Sequence, residues 1–235
     1  MYRQLIAHTG IRVVHISVLW PIIKKIKTES KSLEMSTEET NTFNEIYIKG
    51  QTYKDVLSKR DVWKELERIY NGSLKASTTK SGDVATLTLE IQYKNYKLVL
   101  IETDTKPLKI EVNFNLTNKF EFEFNIYLKD WTDKISSFFG IKSTKTGEIE
   151  FDTKYGIQSK ESELTVKILN DNHITEKILE NDLYSMILNY DETTKSHKLL
   201  TVKDRNTTEI TTLTKLIDLE FRIIDSFIKH GQINN

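Results

Sequence analysis

Between Ser73 and Tyr127 the chain alternates between apolar and polar residues with a period of two. The runs "VATLTLEIQY" (Val84–Tyr93) and "YKLVLIETD" (Tyr96–Asp104) flank Lys94-Asn95. Two β-rich runs around a two-residue turn containing Asn predict a hairpin. "LKIEVNFNL" (Leu108–Leu116) and "FEFEFNIYL" (Phe120–Leu128) alternate strictly, and Asn118-Lys119 reads as the turn between them. Phe120, Phe122, Phe124 and Ile126 fall on one side, and Glu121, Glu123 and Asn125 on the other. Such alternation predicts an antiparallel sheet with one dry and one wet face.

Helical spacing takes over elsewhere. "SKRDVWKELERIYNG" carries Val62, Leu66, Ile69 and Tyr70 at helical intervals, and Asn71-Gly72 stops it. Ser58 and Asp61 stand at capping-box spacing. Upstream, Ser36–Phe43 is polar and reads as a linker, and Glu45–Gly50 as a short strand. Lys129–Gly140 reads as a short helix, and Glu148–Asp152 as a strand. Ser159 is placed to cap a helix over Lys160–Leu169. A second short helix after Asp171-Asn172 turns Ile174, Ile178 and Leu179 inward. Leu183–Asp191 and Lys198–Asp204 read as a hairpin whose loop, "ETTKSH", holds His197. The last helix is the clearest, with Asn206 as its cap. Leu213, Leu216, Ile217, Leu219, Ile223, Ile224, Phe227 and Ile228 give it a wide apolar face. Lys229, His230 and Gly231 suit its C-terminus, where cations complement the dipole.

This order predicts an α+β fold: antiparallel sheet packed by helices on one face, with a long C-terminal helix. Residues 42–235 read as one domain, and both halves, 42–140 and 141–235, share an outline that permits two similar half-domains.

Residues 1–41 form a separate segment. "LIAHTGIRVVHISVLWPII" (Leu5–Ile23) is largely apolar and is followed by "KKIK". Arg12 and Pro21 interrupt it, and a charge at a helix centre costs about 2.5–3.5 kcal/mol of insertion. A spanning helix and a cleaved signal both fit poorly. The readings left are a helix packed on the domain, a weak membrane-surface contact using Trp20 and the lysines, or an extension outside the folded unit.

Composition narrows the chemistry. Hydrophobic residues make up 38% and charged residues 29%, an ordinary globular balance. The 34 basic and 34 acidic residues cancel, so no global field attracts nucleic acid, and nucleic acid is not an expected partner. No cysteine is present, which excludes thiol nucleophiles, thiolate zinc sites and disulfides, and fits a cytoplasmic protein. The histidines His8, His15, His173, His197 and His230 fall in no metal or catalytic motif. No Gly-rich phosphate loop occurs. No cofactor, metal or catalytic residue is expected.

The most distinctive stretch is "GEIEFDTKYGIQSKESELTVKIL" (Gly147–Leu169). Asp152 stands between aromatics and is the best single candidate for chemistry. The structural reading makes it a turn former that accepts backbone N–H bonds. Gly147, Phe151, Asp152, Tyr155, Ile157 and Ser159, followed by Ile168-Leu169, resemble the Gly, Phe-Asp, aromatic, apolar, Ser pattern of a bacterial domain family of uncharacterised function. The resemblance implies a strand-rich region and a hairpin before the motif, and a hairpin and final helix after it. It also implies frequent attachment to membrane segments, and carries no activity.

The function expected is a non-enzymatic binding or scaffolding domain, cytoplasmic or peripheral to the inner membrane. Its partner would be a protein or small molecule, and it can form a homo-oligomer. The alternative is a small-molecule or lipid-binding domain with a cavity between sheet and C-terminal helix, near Phe120, Phe122, Phe124 and Tyr127. A hydrolase using Asp152 or other carboxylates comes third.

Overall fold

The computed structural model of the chain describes residues 40–41, 54–78, 85–103, 106–116, 122–129, 143–203 and 209–234. Among these lie strands β1 (Thr40–Asn41), β2 (Ser73–Thr78), β3 (Ala85–Tyr93), β4 (Tyr96–Thr103) and β5 (Leu108–Phe114). β6 (Phe124–Leu128), β7 (Tyr155–Ser159), β8 (Ser185–Asp191) and β9 (Ser196–Lys203) follow. The helices are α1 (Lys54–Tyr70), α2 (Ile149–Lys154), α3 (Ser162–Leu169), α4 (Ile174–Asn181) and α5 (Ile210–Lys229). All nine strands join one antiparallel sheet in the order β1-β2-β3-β4-β5-β9-β8-β6-β7. The fold is α+β, with α5 as the long C-terminal helix. Glu39–Asn235 form one compact unit. Among the described residues no helix is long and apolar enough to cross a membrane.

The β3–β4 hairpin closes as its pattern predicts, with Lys94 at φ +52° in the turn. The expected β5–β6 hairpin does not form. β5 pairs with β4 and β9, whereas β6 pairs with β8 and β7, so the β8–β9 hairpin lies between them. Alternation fixes which side chains face the core and leaves the choice of partner open.

Register aligns one row of core side chains across seven strands: Leu89, Leu100, Ile110, Thr201, Met186, Ile126 and Ile157. All seven are buried, and Thr201 alone is polar. The core-facing side of α5 supplies Leu213, Leu216, Ile217, Ile223, Ile224 and Phe227, all buried. Each fully buried side chain of this size contributes roughly 1.5–3 kcal/mol, which is why the wide apolar face holds the helix to the core.

Several boundaries differ from the sequence reading. α1 begins at Lys54, so Ser58 lies within the helix and not at its start. Trp63 and Leu66 are its fully buried residues, while Ile69 is exposed. Thr40–Asn41, read as linker, pair with β2. The stretch read as a strand at Glu148–Asp152 is α2. A strand would turn Ile149 and Phe151 to the same face, but the helix separates them, leaving Phe151 buried and Ile149 86% exposed. α3 starts at Ser162 with Glu161 as N-cap, and α5 starts at Ile210 with Glu209 as N-cap. His197 lies in β9 and is buried. Residues 1–39, the strand expected over 45–50, the helix expected over 130–140, Phe120 and Asn206 lie outside the described residues.

Candidate functional site

The motif builds a tightly tied corner. Gly147 takes φ +92°, a left-handed conformation that side-chain-bearing residues rarely adopt, and reverses the chain ahead of α2. Asp152 Oδ1 accepts the Thr146 N–H and the Thr146 hydroxyl, both at 3.0 Å. Its Oδ2 accepts the Gly147 N–H at 3.0 Å. The Thr146 hydroxyl in turn accepts the Glu148 N–H at 3.2 Å. One carboxylate thus gathers the donors of the two residues ahead of the α2 N-cap, Glu148.

The rest of the motif is packing. Phe151 stacks on Tyr155 at 5.2 Å between centroids, and the Tyr155 hydroxyl donates to the Leu183 carbonyl at 2.9 Å. Burial pushes the Tyr155 phenol far above its ordinary value, with the Asp182 charge adding to that. Ile157 is buried in β7. Ser159 ends β7, accepts the Glu161 N–H at 3.1 Å and bonds the Thr165 hydroxyl at 2.7 Å. It therefore steadies the turn into α3 from two residues ahead of the N-cap.

Outside this corner, Ser143 and Thr144 run beside β7. The Thr144 N–H donates to the Ile157 carbonyl at 3.0 Å, and the Ser143 hydroxyl bonds both the N–H and the carbonyl of Ile157. Between this segment and α3 lies a shallow surface depression of about 570 Å³, lined by Ser143, Thr144, Lys145, Ser162, Glu163, Val166 and Lys167. The Thr144 and Ser162 hydroxyls bridge its floor at 2.8 Å.

The aromatic row is core. Phe122 meets Phe124 at 5.7 Å and Phe227 of α5 at 6.1 Å, and Phe114 meets Phe227 at 5.2 Å. Tyr127 points to the opposite face of the sheet and lies over Gly156, its register partner. A Cβ on Gly156 would come within 2.4 Å of the Tyr127 ring. Phe122 and Phe124 therefore do not line a common cavity with Tyr127, because successive residues of a strand face opposite sides and an odd spacing separates Tyr127 from Phe124.

Three polar clusters were not legible in sequence. First, Lys59 of α1, Glu102 of β4 and Trp63 form a buried group. Lys59 Nζ donates to Glu102 Oε1 at 2.7 Å, and Trp63 Nε1–H to Oε2 at 3.2 Å. Second, His197 packs against Tyr190 at 5.2 Å, and its Nε2 has no hydrogen-bond partner. Burial lowers its basicity, opposed by the Glu123 charge. Third, Glu220 of α5 is fully buried, and neither carboxylate oxygen has a hydrogen-bond partner. Burial pushes its carboxyl up to about 7, opposed by the nearby Thr201 hydroxyl. Its signal was a charged residue standing three and four positions from Ile217, Leu216, Ile223 and Ile224, inside the apolar stripe. His230, read as a partner of the helix dipole, also faces Asp171, with Nε2 at 3.5 Å from Oδ2. Burial raises the Asp171 carboxyl, but the Lys229 hydrogen bond and the charges of Lys229 and His230 outweigh it and hold the group below its usual range. Among the described residues no three His, Cys, Asp or Glu side chains gather closely enough to hold a metal ion.

Neither a protein-family model nor a curated protein sequence matches the chain. Among solved structures, the crystal structure of the mycobacterial trehalose monomycolate transport factor A, TtfA, aligns over 74% of this chain and 95% of that one. The identity is 10% and the TM-score 0.46.

Proposed function

We propose that the chain is a non-enzymatic binding domain that recognises a protein partner through the depression between residues 143–146 and α3. The observation that carries this reading is the commitment of Asp152. Its two oxygens accept three hydrogen bonds from Thr146 and Gly147, so the acid of the most suggestive stretch holds the loop in place. The product of that bonding is a fixed surface feature beside β7. Lys145 and Lys167 outnumber Glu163 along it, and Val166 adds an apolar contact point, a combination that suits a short acidic segment with an apolar anchor. The second copy of the chain and a small molecule are the other occupants to be tested. We place this activity in the cytoplasm or at the inner membrane surface, in keeping with a chain free of cysteine.

A photo-crosslinking amino acid at Val166 in the full chain, expressed in its host, tests the reading. The same group at exposed Thr193 serves as the control. A discrete adduct formed at Val166, missing at Thr193 and lost in Lys145→Glu/Lys167→Glu, supports it. Equal adducts at both positions, or none at Val166, would remove it. An adduct at twice the chain mass identifies a second copy as the partner.

A further inference from the structure

α5 crosses a sheet whose central row is apolar except at Thr201, and the helix presents Glu220 to that position. Buried polar groups are almost always hydrogen-bonded, and each exception calls for a reason. Both Glu220 oxygens and the Thr201 hydroxyl lack hydrogen-bond partners in this packing, although the two residues are neighbours. A neutral carboxylic acid has a proton it can direct at the Thr201 oxygen after a small rotation. A carboxylate has no such proton, and among the described residues the Thr201 hydroxyl is the donor beside it.

Among the described residues, the charged groups of the elements around α5 are engaged elsewhere. From α1, Lys59 is joined to Glu102 of β4. From α4, Lys177 pairs with Glu180. From the end of α3, Asp171 faces Lys229 and His230. From β9, Lys203 donates to the Asn181 carbonyl, and His197 lies four residues from Thr201 beside Tyr190. From the β3–β4 turn, Tyr93 and Lys94 bond Asp225, and along α5 itself Asp218 pairs with Arg222. Among the described residues, burial and Thr201 are what act on the ionisation of Glu220.

We propose that Glu220 and Thr201 form a proton-operated latch: the neutral acid keeps α5 seated on the sheet, and ionisation loosens the N-terminal half of the helix. Among the described residues, that half has the fewer polar ties to other elements. The C-terminal half is pinned by Tyr93 and Lys94 on Asp225, by the Ser226 hydroxyl on the Ile168 carbonyl, by the Tyr93–Phe221 stack and by Lys229 on Asp171. Ahead of Glu220, a polar tie from another element is the long 3.4 Å bond from Asn181 Nδ2 to the Lys215 carbonyl. Opening hydrates the carboxylate, so raising the pH favours the open form until the closed form is itself ionised.

Hydrogen exchange of the full chain at pH 5.5 and pH 8, corrected for intrinsic base catalysis, tests the latch. Protection of Ile210–Glu220 should fall by roughly tenfold or more between the two values, with the linkage set by one carboxyl. The β3–β4 hairpin should keep its protection. In Glu220→Gln the pH dependence of this segment should vanish. Should Glu220→Gln fold poorly, Glu220→Met, which also lacks the ionisable group, serves the same purpose. A pH dependence that persists in the folded variant would overturn the latch, as would a loss of protection shared equally by the β3–β4 hairpin.

Discussion

Lys59 Nζ lies 2.7 Å from Glu102 Oε1, and with side chains only 4% exposed the pair ties α1 to β4 inside the core. Trp63 adds a second donor to the same carboxylate. Removing one member strands a buried charge, which costs more than the pair contributes. Lys59→Met should therefore lower unfolding free energy by about 3–5 kcal/mol. The Lys59→Met/Glu102→Leu double variant should recover most of that, although Trp63 Nε1–H then lacks its acceptor. Urea denaturation of the two variants measures the difference. A double variant no more stable than the single one would contradict the argument.

Asp152 makes a smaller, local contribution. In Asp152→Asn one acceptor oxygen becomes an NH₂ group, which faces a donor instead of accepting from it. The loss should be about 1–2 kcal/mol, the scale of a lost cap-like bond. Chemical denaturation gives the size, and exchange protection at Thr146 and Gly147 should fall together.

Gly147 and Gly156 should respond differently to alanine. At Gly147 nothing lies near an added Cβ, so the cost is conformational, arising from φ +92°, and amounts to about 1 kcal/mol. At Gly156 the Cβ would meet the Tyr127 ring at 2.4 Å, an overpacking cost of about 1–3 kcal/mol. Tyr127→Ala should make Gly156→Ala better tolerated and leave Gly147→Ala unaffected. Thermal melts of the two glycine variants, each with and without Tyr127→Ala, separate steric from backbone causes.

Glu220 sets a pH dependence whose sign is fixed by its raised carboxyl. The folded value of about 7 exceeds the ordinary 4.5, so its favourable contribution is complete below about 4.5 and is lost as pH rises through about 7. The full change amounts to roughly 3 kcal/mol. Asp171 acts in the opposite sense: its depressed carboxyl stabilises above the ordinary 3.8 and that stability is lost on acidification. Comparing wild type with Glu220→Gln at each pH cancels the Asp171 contribution. The stability of Glu220→Gln relative to wild type should climb between pH 4.5 and 7 and then level off. A flat difference over that range would refute the assignment.

Much of the sheet was legible because alternation has only one physical cause in a half-buried strand. Leu98 and Leu100 face inward as their pattern requires, and so do Phe122 and Phe124. α5 was legible for the same reason at helical period. The Gly147–Ser159 corner was legible in role and misread in form. "EIEF" alternates like a strand, yet Asp152 gathers the Thr146 and Gly147 donors and closes a helical turn around Phe151. Local side-chain bonding there outweighed a short hydrophobic pattern.

By itself, the sequence determined which residues seek the core and where the long elements run, because both follow from local periodicity. Only the tertiary structure decided that β9 inserts beside β5, that Lys59 meets Glu102, and that Glu220 faces Thr201. Those outcomes depend on which strands pair and where the helices cross. The apolar stripe around Glu220 marks its burial, but the partner a buried charge meets is set only when distant segments close over it.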